Sequence, residues 1–447
     1  MTLLTPAAPA PADVTARAAA PAALPAKQRR FDPLAVTSAA LMANTAVTSV
    51  LGMAFWAAAS RWYPAQQLGQ DAALISAMML LSVVSQLNLA MGISRLLPQV
   101  RSRRWRPVAA AYGVSAVTAV ALTGAFVVVA PRVSDGFRPL TQHPELAVAL
   151  VVAVVLWNVF ALQDAVLTAS RWAVALPIEN GLFGLLKIGL MVWLVPYAAG
   201  HGIFVAWLVA MALMLLPVNA LLFWRVLPGG SRPAGEASPS ALPLTDRRRI
   251  TRYLAVDYVA GLLSQGYTTM LPLLVVAVLG QAANAYFYIA FVIAGAVRAV
   301  AQSMSLSLVV EGAHDESELV ALTRLSIRRY VRLAVPGTAL LVLGAGLMLT
   351  PFGADYVREA TTLLQLLLVA TVPQAVVTLY LGVERVRAKV RRVLAAEAAT
   401  GLLVALGVTV GMHASGLTGV GVGWLVAQTV VAVLVAPHLW RVLRSAA

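Results

Sequence analysis

The sequence predicts an all-α polytopic membrane protein with twelve transmembrane helices in two six-helix lobes. Three observations carry this. Of the 447 residues, 60% are hydrophobic and only 11% are charged. The apolar residues collect in twelve long stretches, and the basic residues gather on alternate connections between them. Each stretch has roughly the ~20 residues that a helix needs to cross ~30 Å of hydrocarbon.

The spans fall in order at 37–60, 70–96, 107–130, 147–169, 177–197, 202–225, 250–279, 283–310, 331–350, 360–384, 391–412 and 416–438. Only helices and closed barrels satisfy their backbone polar groups in lipid. Runs such as Ala339–Met348 and Leu402–Val410 lack the two-residue alternation of a barrel strand, so they read as helices. Residues 1–36 are rich in Ala and Pro, with no apolar core of a cleavable signal peptide. They read as a disordered cytoplasmic tail, and the first span as the uncleaved insertion signal. The segment 226–249 contains LPGGSRPAGEASPSALPLTDRRR, which has the composition of a flexible linker. It separates an N-terminal lobe (37–225) from a C-terminal lobe (250–440), and 441–447 form a second cytoplasmic tail. Between Glu311 and Arg332, apolar Leu319, Val320, Leu322, Leu325 and Ile327 lie among charges, the pattern of a short interfacial helix.

Basic residues set the orientation. With a cytoplasmic N-terminus, the tails and the even-numbered connections hold 27 of the 33 Lys and Arg residues. The opposite connections hold four: Arg61, Arg132, Arg138 and Arg358. Lys187 and Arg298 lie inside spans. This asymmetry is expected to place both termini of the multi-pass chain in the cytoplasm. Heavy use of Ala, Val, Leu and Arg suggests a GC-rich bacterial genome, so the expected membrane is a bacterial cytoplasmic one. The net charge of +15 sits in short connections beside apolar spans, where topology and anionic lipid headgroups account for it without nucleic acid.

Other classes are excluded by composition. There is no cysteine, hence no disulfide or thiolate chemistry. His143, His201, His314, His413 and His438 are scattered without metal-ligand spacing. No phosphate-binding Gly-Lys loop exists; Gly419, Gly421 and Gly423 have the small-residue spacing of close helix packing instead. The largest outer connection, 131–146, is too short for a catalytic domain. The chain is therefore expected to be no enzyme and to need no cofactor.

The halves look related. The second span reads LGQDAALISAMMLLSVVSQLNLAMGISRLLPQ and the eighth ANAYFYIAFVIAGAVRAVAQSMSLSLVVEG. Both open polar, continue small and apolar, then carry Gln and Ser before a charged exit. Six is an even number of crossings, so the halves share one orientation and their axis runs along the membrane normal. Such lobes enclose a central cavity.

Four places resemble bacterial polysaccharide and lipid-linked oligosaccharide flippases of the multidrug/oligosaccharidyl-lipid/polysaccharide exporter superfamily. These are Leu51-Gly52 through Phe55-Trp56, Ala59 and Arg61, with the exit Ser94–Pro98; Phe160–Asp164 with Pro177–Asn180; Ala283–Ala290; and Pro351–Tyr356 with Leu363–Leu368, Pro373 and Gly382–Arg385. The resemblance spans about 37–440 and rests on the order and spacing of these places. It implies transfer of a lipid-linked saccharide from the inner to the outer leaflet by alternating access. It also implies membrane lipids and other polysaccharide-assembly proteins as partners. A cation-coupled multidrug or small-molecule exporter of the same superfamily is the alternative.

Ionisable groups inside spans are costly and line cavities or pair with one another. The candidates are Arg298, Lys187, Asp164 and Asp257, with Gln265, Gln302, Gln86 and Asn88 as uncharged polar candidates. An arginine offers bidentate contacts to the phosphates of an anionic lipid carrier. An ion pair between Lys187 and Asp164 is the structural rival, as is pairing of Asp257 with Arg249 or Arg252 and of Glu397 with the Arg385–Arg392 cluster. Glu179 and Asn180 read as a helix cap, and Tyr286, Tyr288, Trp62 and Tyr63 as an interfacial belt.

Overall fold

The computed structural model describes residues 33–100, 102–197, 200–228, 247–312, 323–325, 328, 332, 335–387 and 389–444. The segment proposed as an interfacial helix and most of the linker lie outside the described residues. Among the described residues every regular element is helical. The helices are α1 (Pro33–Trp62), α2 (Ala65–Ser85), α3 (Trp105–Val133), α4 (Pro144–Ala169), α5 (Ala175–Leu194), α6 (Gly202–Leu221), α7 (Arg247–Leu279) and α8 (Gln281–Gly312). Then come α9 (Val335–Leu343 and Ala345–Leu349) and α10 (Ala354–Val386). A final helical stretch, Val390–Arg444, breaks at Ser415 and Gly416, where Gly416 has φ +60°; its halves are α11 and α12. Counting the bent α9 as one span and the two halves separately gives the expected twelve.

Two spans differ from the expected continuous helices. The second breaks after Ser85: Leu87 and Asn88 adopt left-handed backbone at φ 50° and 58°, and a short helix restarts at Leu89–Leu96. Gln86 ends α2 with its backbone N–H on Ser82. The carbonyls left free at this end find partners: Thr118 Oγ1 donates to Ser85 O at 2.6 Å, and the Tyr258 hydroxyl donates to Val84 O at 2.6 Å. The ninth bends by 68° at Gly344, the residue least able to hold a helix straight, and ends at a turn through Pro351.

Glycine permits the closest approaches. On α11 and α12, a Cβ on Gly411 or Gly419 would overlap the carbonyl of the other, so these helices meet backbone to backbone. A side chain at Gly69 on α2 would overlap the Gln281 carbonyl at the start of α8.

The lobes meet along α2, α7 and α8, with α1 beside α8. The connections α1–α2, α7–α8 and α9–α10 share one end of the bundle, which the basic residues predict to be the outer end. Here Asn284 Nδ2 donates to Gly69 O at 2.7 Å, across 215 positions. That separation is the repeat offset. Adding 215 turns 61 into 276 and 136 into 351, so a contact of 61 with 351 has its equivalent in one of 276 with 136. Both form: Arg61 donates to Pro351 O, and Gly136 packs on Val276. The outer seam is therefore pseudo-two-fold, and Gly69 with Asn284 marks its axis. Below it, the Trp56 ring of α1 meets the Tyr288 ring of α8 at 4.6 Å in a tilted contact, whereas residues 39–50 of α1 are mostly exposed.

Candidate functional site

Each lobe sets one cation against the tryptophan of its sixth helix. In the N-terminal lobe Lys187 of α5 is only 7% exposed, with Nζ 3.8 Å from the Trp207 ring centroid, 4.8 Å from Phe55 and 5.1 Å from Phe183. In the C-terminal lobe the Arg298 guanidinium lies 4.4 Å from the Phe291 centroid and 5.6 Å from Trp424. The electron-rich ring faces attract both cations. Trp207 and Trp424 stand 217 positions apart, close to the repeat offset, and both indole N–H groups are buried without a hydrogen-bond partner. The N-terminal centre reaches the lobe seam through rings: Trp207 lies 6.4 Å from Trp56, which contacts Tyr288. Arg298 itself projects from α8, a seam helix. Its Nη1 is buried with no hydrogen-bond partner.

The acidic candidates gather elsewhere. Lys187 does not pair with Asp164; that expected ion pair is absent among the described residues. Asp164, half-buried, takes a hydrogen bond from Asn180, and its Oδ1 has no partner. Glu179 is buried rather than placed as an exposed cap. It accepts from Gln163 Nε2, while its Oε2 has no partner. Behind it, Asn219 Nδ2 donates to Gln163 Oε1 at 2.7 Å, and the Tyr112 hydroxyl donates to Asn219 Oδ1 at 3.0 Å. The expected pairing of Glu397 forms, with Arg385 at 3.3 Å. Beside it the fully buried Glu384 meets Arg392 at 3.4 Å and His438 at 3.0 Å, tying α10, α11 and α12.

The uncharged candidates are less coherent. Gln86 Nε2 donates to Ser82 Oγ at 3.1 Å, and Asn88 stands at the start of the short helix after the break. Gln265 is exposed, and its carbonyl accepts from Thr268 and Thr269 at 2.8 and 3.0 Å. Gln302 is exposed one turn beyond Arg298. The side chain of Asp257 lies outside the described residues. The belt reading fails for Tyr63 and Tyr288. Both are buried, the first donating to Met191 O at 2.9 Å, the second stacked on Trp56. Of that group Trp62 is exposed, as a belt residue should be.

Two polar centres went unread in the sequence. Asn158, fully buried, donates to Ser85 Oγ at 2.8 Å and Ser115 O at 3.2 Å and accepts from Ser82, holding α2, α3 and α4 together at the break in the second span. Asp71, also fully buried, accepts from the backbone N–H groups of Ile203 and Phe204 at 3.0 Å each and from His201 Nδ1 at 2.9 Å. It caps the N-terminus of α6 from another helix, where a carboxylate suits the helix dipole. The Asp in LGQDAAL was a signal for it: a lone acid after the span has begun needs a partner.

No protein-family model matches the sequence, and no curated protein is similar to it in sequence. Solved structures are similar in fold. The lipid II flippase MurJ in an inward closed conformation matches with TM-score 0.69 at 10% identity, over 92% of this chain and 90% of that one. An inward-facing multidrug resistance MATE transporter of the MOP superfamily matches with TM-score 0.63 at 15% identity, over 91% and 98%. A point mutant of the Vibrio cholerae MATE transporter VcmN matches with TM-score 0.58 at 13% identity, over 92% and 97%. The chain has the fold of the MOP superfamily, and the resemblance read from its sequence holds at that level. It is a multi-pass, two-lobed membrane protein.

Proposed function

We propose that the protein is an alternating-access flippase that moves a lipid-linked oligosaccharide or polysaccharide precursor from the inner to the outer leaflet. One observation carries this reading: each lobe sets a cation against aromatic rings within a span, Lys187 buried and Arg298 half-buried, and neither has a carboxylate within ion-pair distance among the described residues. Unpaired intramembrane cations are expensive and suit an anionic cargo. A phosphorylated lipid carrier supplies that charge, and Arg298 is its main ligand. In this reading the membrane is the bacterial cytoplasmic membrane, with both termini inside.

The test is depletion of the protein in its native cell followed by profiling of polyprenyl-linked saccharides. A completed intermediate should accumulate on the inner leaflet while its polymer disappears outside. Complementation with Arg298→Ala should restore membrane insertion but not transport. An unchanged lipid-saccharide pool would sink the reading. The second reading, a cation-coupled multidrug exporter, is favoured by half-buried Asp164 and buried Glu179, each with one carboxylate oxygen lacking a partner, which suit a proton or metal cation. It predicts drug sensitivity with intact surface glycan.

A further inference from the structure

We propose that Arg298, Trp424 and Gln428, grouped around Tyr267, form an anion-binding site inside the C-terminal lobe. The ligand is an anion that accepts N–H hydrogen bonds: a phosphoryl oxygen of the cargo headgroup or a free inorganic anion. This deepens the role given to Arg298 above and rests on its reading as an anion ligand, but not on the identity of the cargo.

The donors are buried and unspent. Trp424 is 1% exposed with an indole N–H that has no hydrogen-bond partner, and Gln428 is fully buried with the Tyr267 side chain as its one hydrogen-bond neighbour among the described residues, so its amide keeps spare capacity. Arg298 Nη1 is, like the indole N–H, without a partner. Buried polar groups are nearly always paired, so several unpaired ones in one place point to a ligand. They do share one place. Trp424 and Gln428 are four residues apart on α12, hence on one face. The Trp424 ring lies 5.6 Å from the Arg298 guanidinium and 6.0 Å from the Tyr267 ring, and Gln428 faces Tyr267.

Charge decides the sign of the ligand. Arginine stays protonated at any physiological pH. The acidic side chain within electrostatic reach of Tyr267 is Glu397, and Arg385 already holds it at 3.3 Å. The site therefore gathers a fixed positive charge and N–H donors from two helices. One of these, α8, belongs to the lobe seam, so an anion here couples cargo charge to the moving interface. The N-terminal lobe's counterpart has Lys187 on Trp207 but nothing equivalent to Gln428 among its ring neighbours.

The experiment uses the full chain in detergent. Thermal unfolding is followed by intrinsic tryptophan fluorescence in sodium gluconate, with titration of chloride, inorganic pyrophosphate or farnesyl pyrophosphate at constant ionic strength. A saturable rise in Tm is expected for at least one of the three. Arg298→Gln should weaken that anion by roughly tenfold or more, as expected for loss of a hydrogen bond to a charged group. Gln428→Leu and Trp424→Phe should each weaken it by about threefold to tenfold. Saturation by chloride or pyrophosphate identifies a free-anion site, and saturation by farnesyl pyrophosphate alone identifies the cargo headgroup. No saturable effect of any anion on the wild type overturns the proposal, even if saccharide transport is intact. Anion binding that survives in Gln428→Leu and Trp424→Phe overturns it too, whether or not the Arg298 variant folds. Anion binding without saccharide flipping would instead leave the site standing and remove the flippase reading.

Discussion

Arg61 fastens one arm of the outer seam, and its removal should shift the conformational equilibrium by a calculable amount. Its Nε donates to Pro351 O and its Nη2 to Thr350 O, both at 2.8 Å, so one guanidinium spans the end of α1 and the turn after α9. Protected charge-assisted bonds contribute ~1.5–3 kcal/mol each. Arg61 is exposed, so water screens and competes with both, and ~1–2 kcal/mol for the pair is the appropriate discount. That free energy favours the state closed at this end alone, and its loss should move the closed-to-open ratio by a factor of ~5–30. The substitution is Arg61→Gln. The natural absence of cysteine gives a clean background for spin labels at Gln142→Cys and Glu359→Cys, two exposed outer positions in different lobes. Double electron–electron resonance should show a longer-distance population growing in Arg61→Gln. The pseudo-symmetric arm holds a single neutral bond, Ser134 Oγ to Ala277 O at 3.2 Å, so Ser134→Ala should shift the populations less. An unchanged distance distribution in Arg61→Gln, or an equal shift in Ser134→Ala, would refute the reasoning.

Three further outcomes are expected. Gly411→Leu should destabilise the chain by ~3 kcal/mol or more, because the side chain would collide with the Gly419 backbone, whereas Gly113→Leu, with open space at its Cβ, should be nearly neutral in thermal unfolding. Asp71→Asn removes the charge from two helix-capping bonds and should cost ~1–2 kcal/mol, read as a lower Tm; a neutral result would mean that water caps α6 equally well. Leu87→Gly should stabilise by ~1 kcal/mol or leave stability unchanged, since Leu87 is 42% exposed and its φ of 50° suits glycine; a lower Tm would show that the side chain, not the backbone, holds the break.

The spans were legible because hydrocarbon thickness and backbone satisfaction leave few choices. Breaks within spans were not, because the signals are small. Gly344 is one glycine among many, and Asn88 tolerates left-handed backbone without demanding it. Leu87 at φ 50° runs against its own preference and is held by tertiary contacts, such as Tyr258 on Val84, that no local pattern encodes. Among candidate site residues, depth singled out Lys187 and Arg298, and the structure sets each against aromatic rings. Their surroundings were hidden, because aromatic rings at helical spacing look like any membrane core. Trp207 and Trp424 gain meaning only when α5 packs on α6 and when Phe291 and Arg298 of α8 reach Trp424 of α12. The neighbourhood Phe160–Asp164 carried the acids, but their companions Asn219 and Tyr112 come from two other helices.

The offset of 215 that relates the seam contacts also shows where the halves have diverged. Position 61 is arginine, and its equivalent, 276, is a buried valine packed on Gly136. One arm of the seam is thus held by charge in contact with water, the other by apolar contact among Ala73, Leu74, Phe137 and Val276. Breaking the first exchanges protein hydrogen bonds for water at little net cost. Breaking the second exposes apolar surface, which costs ~25 cal/mol per Å². The α2–α7 side also holds lower down, where the Tyr258 hydroxyl donates to Val84 O. A pseudo-symmetric frame with one dry arm and one wet arm is expected to part first at the wet one, the outcome that the Arg61→Gln and Ser134→Ala comparison tests. The same asymmetry appears in the cation centres, lysine among rings on one side and arginine with spare N–H donors on the other.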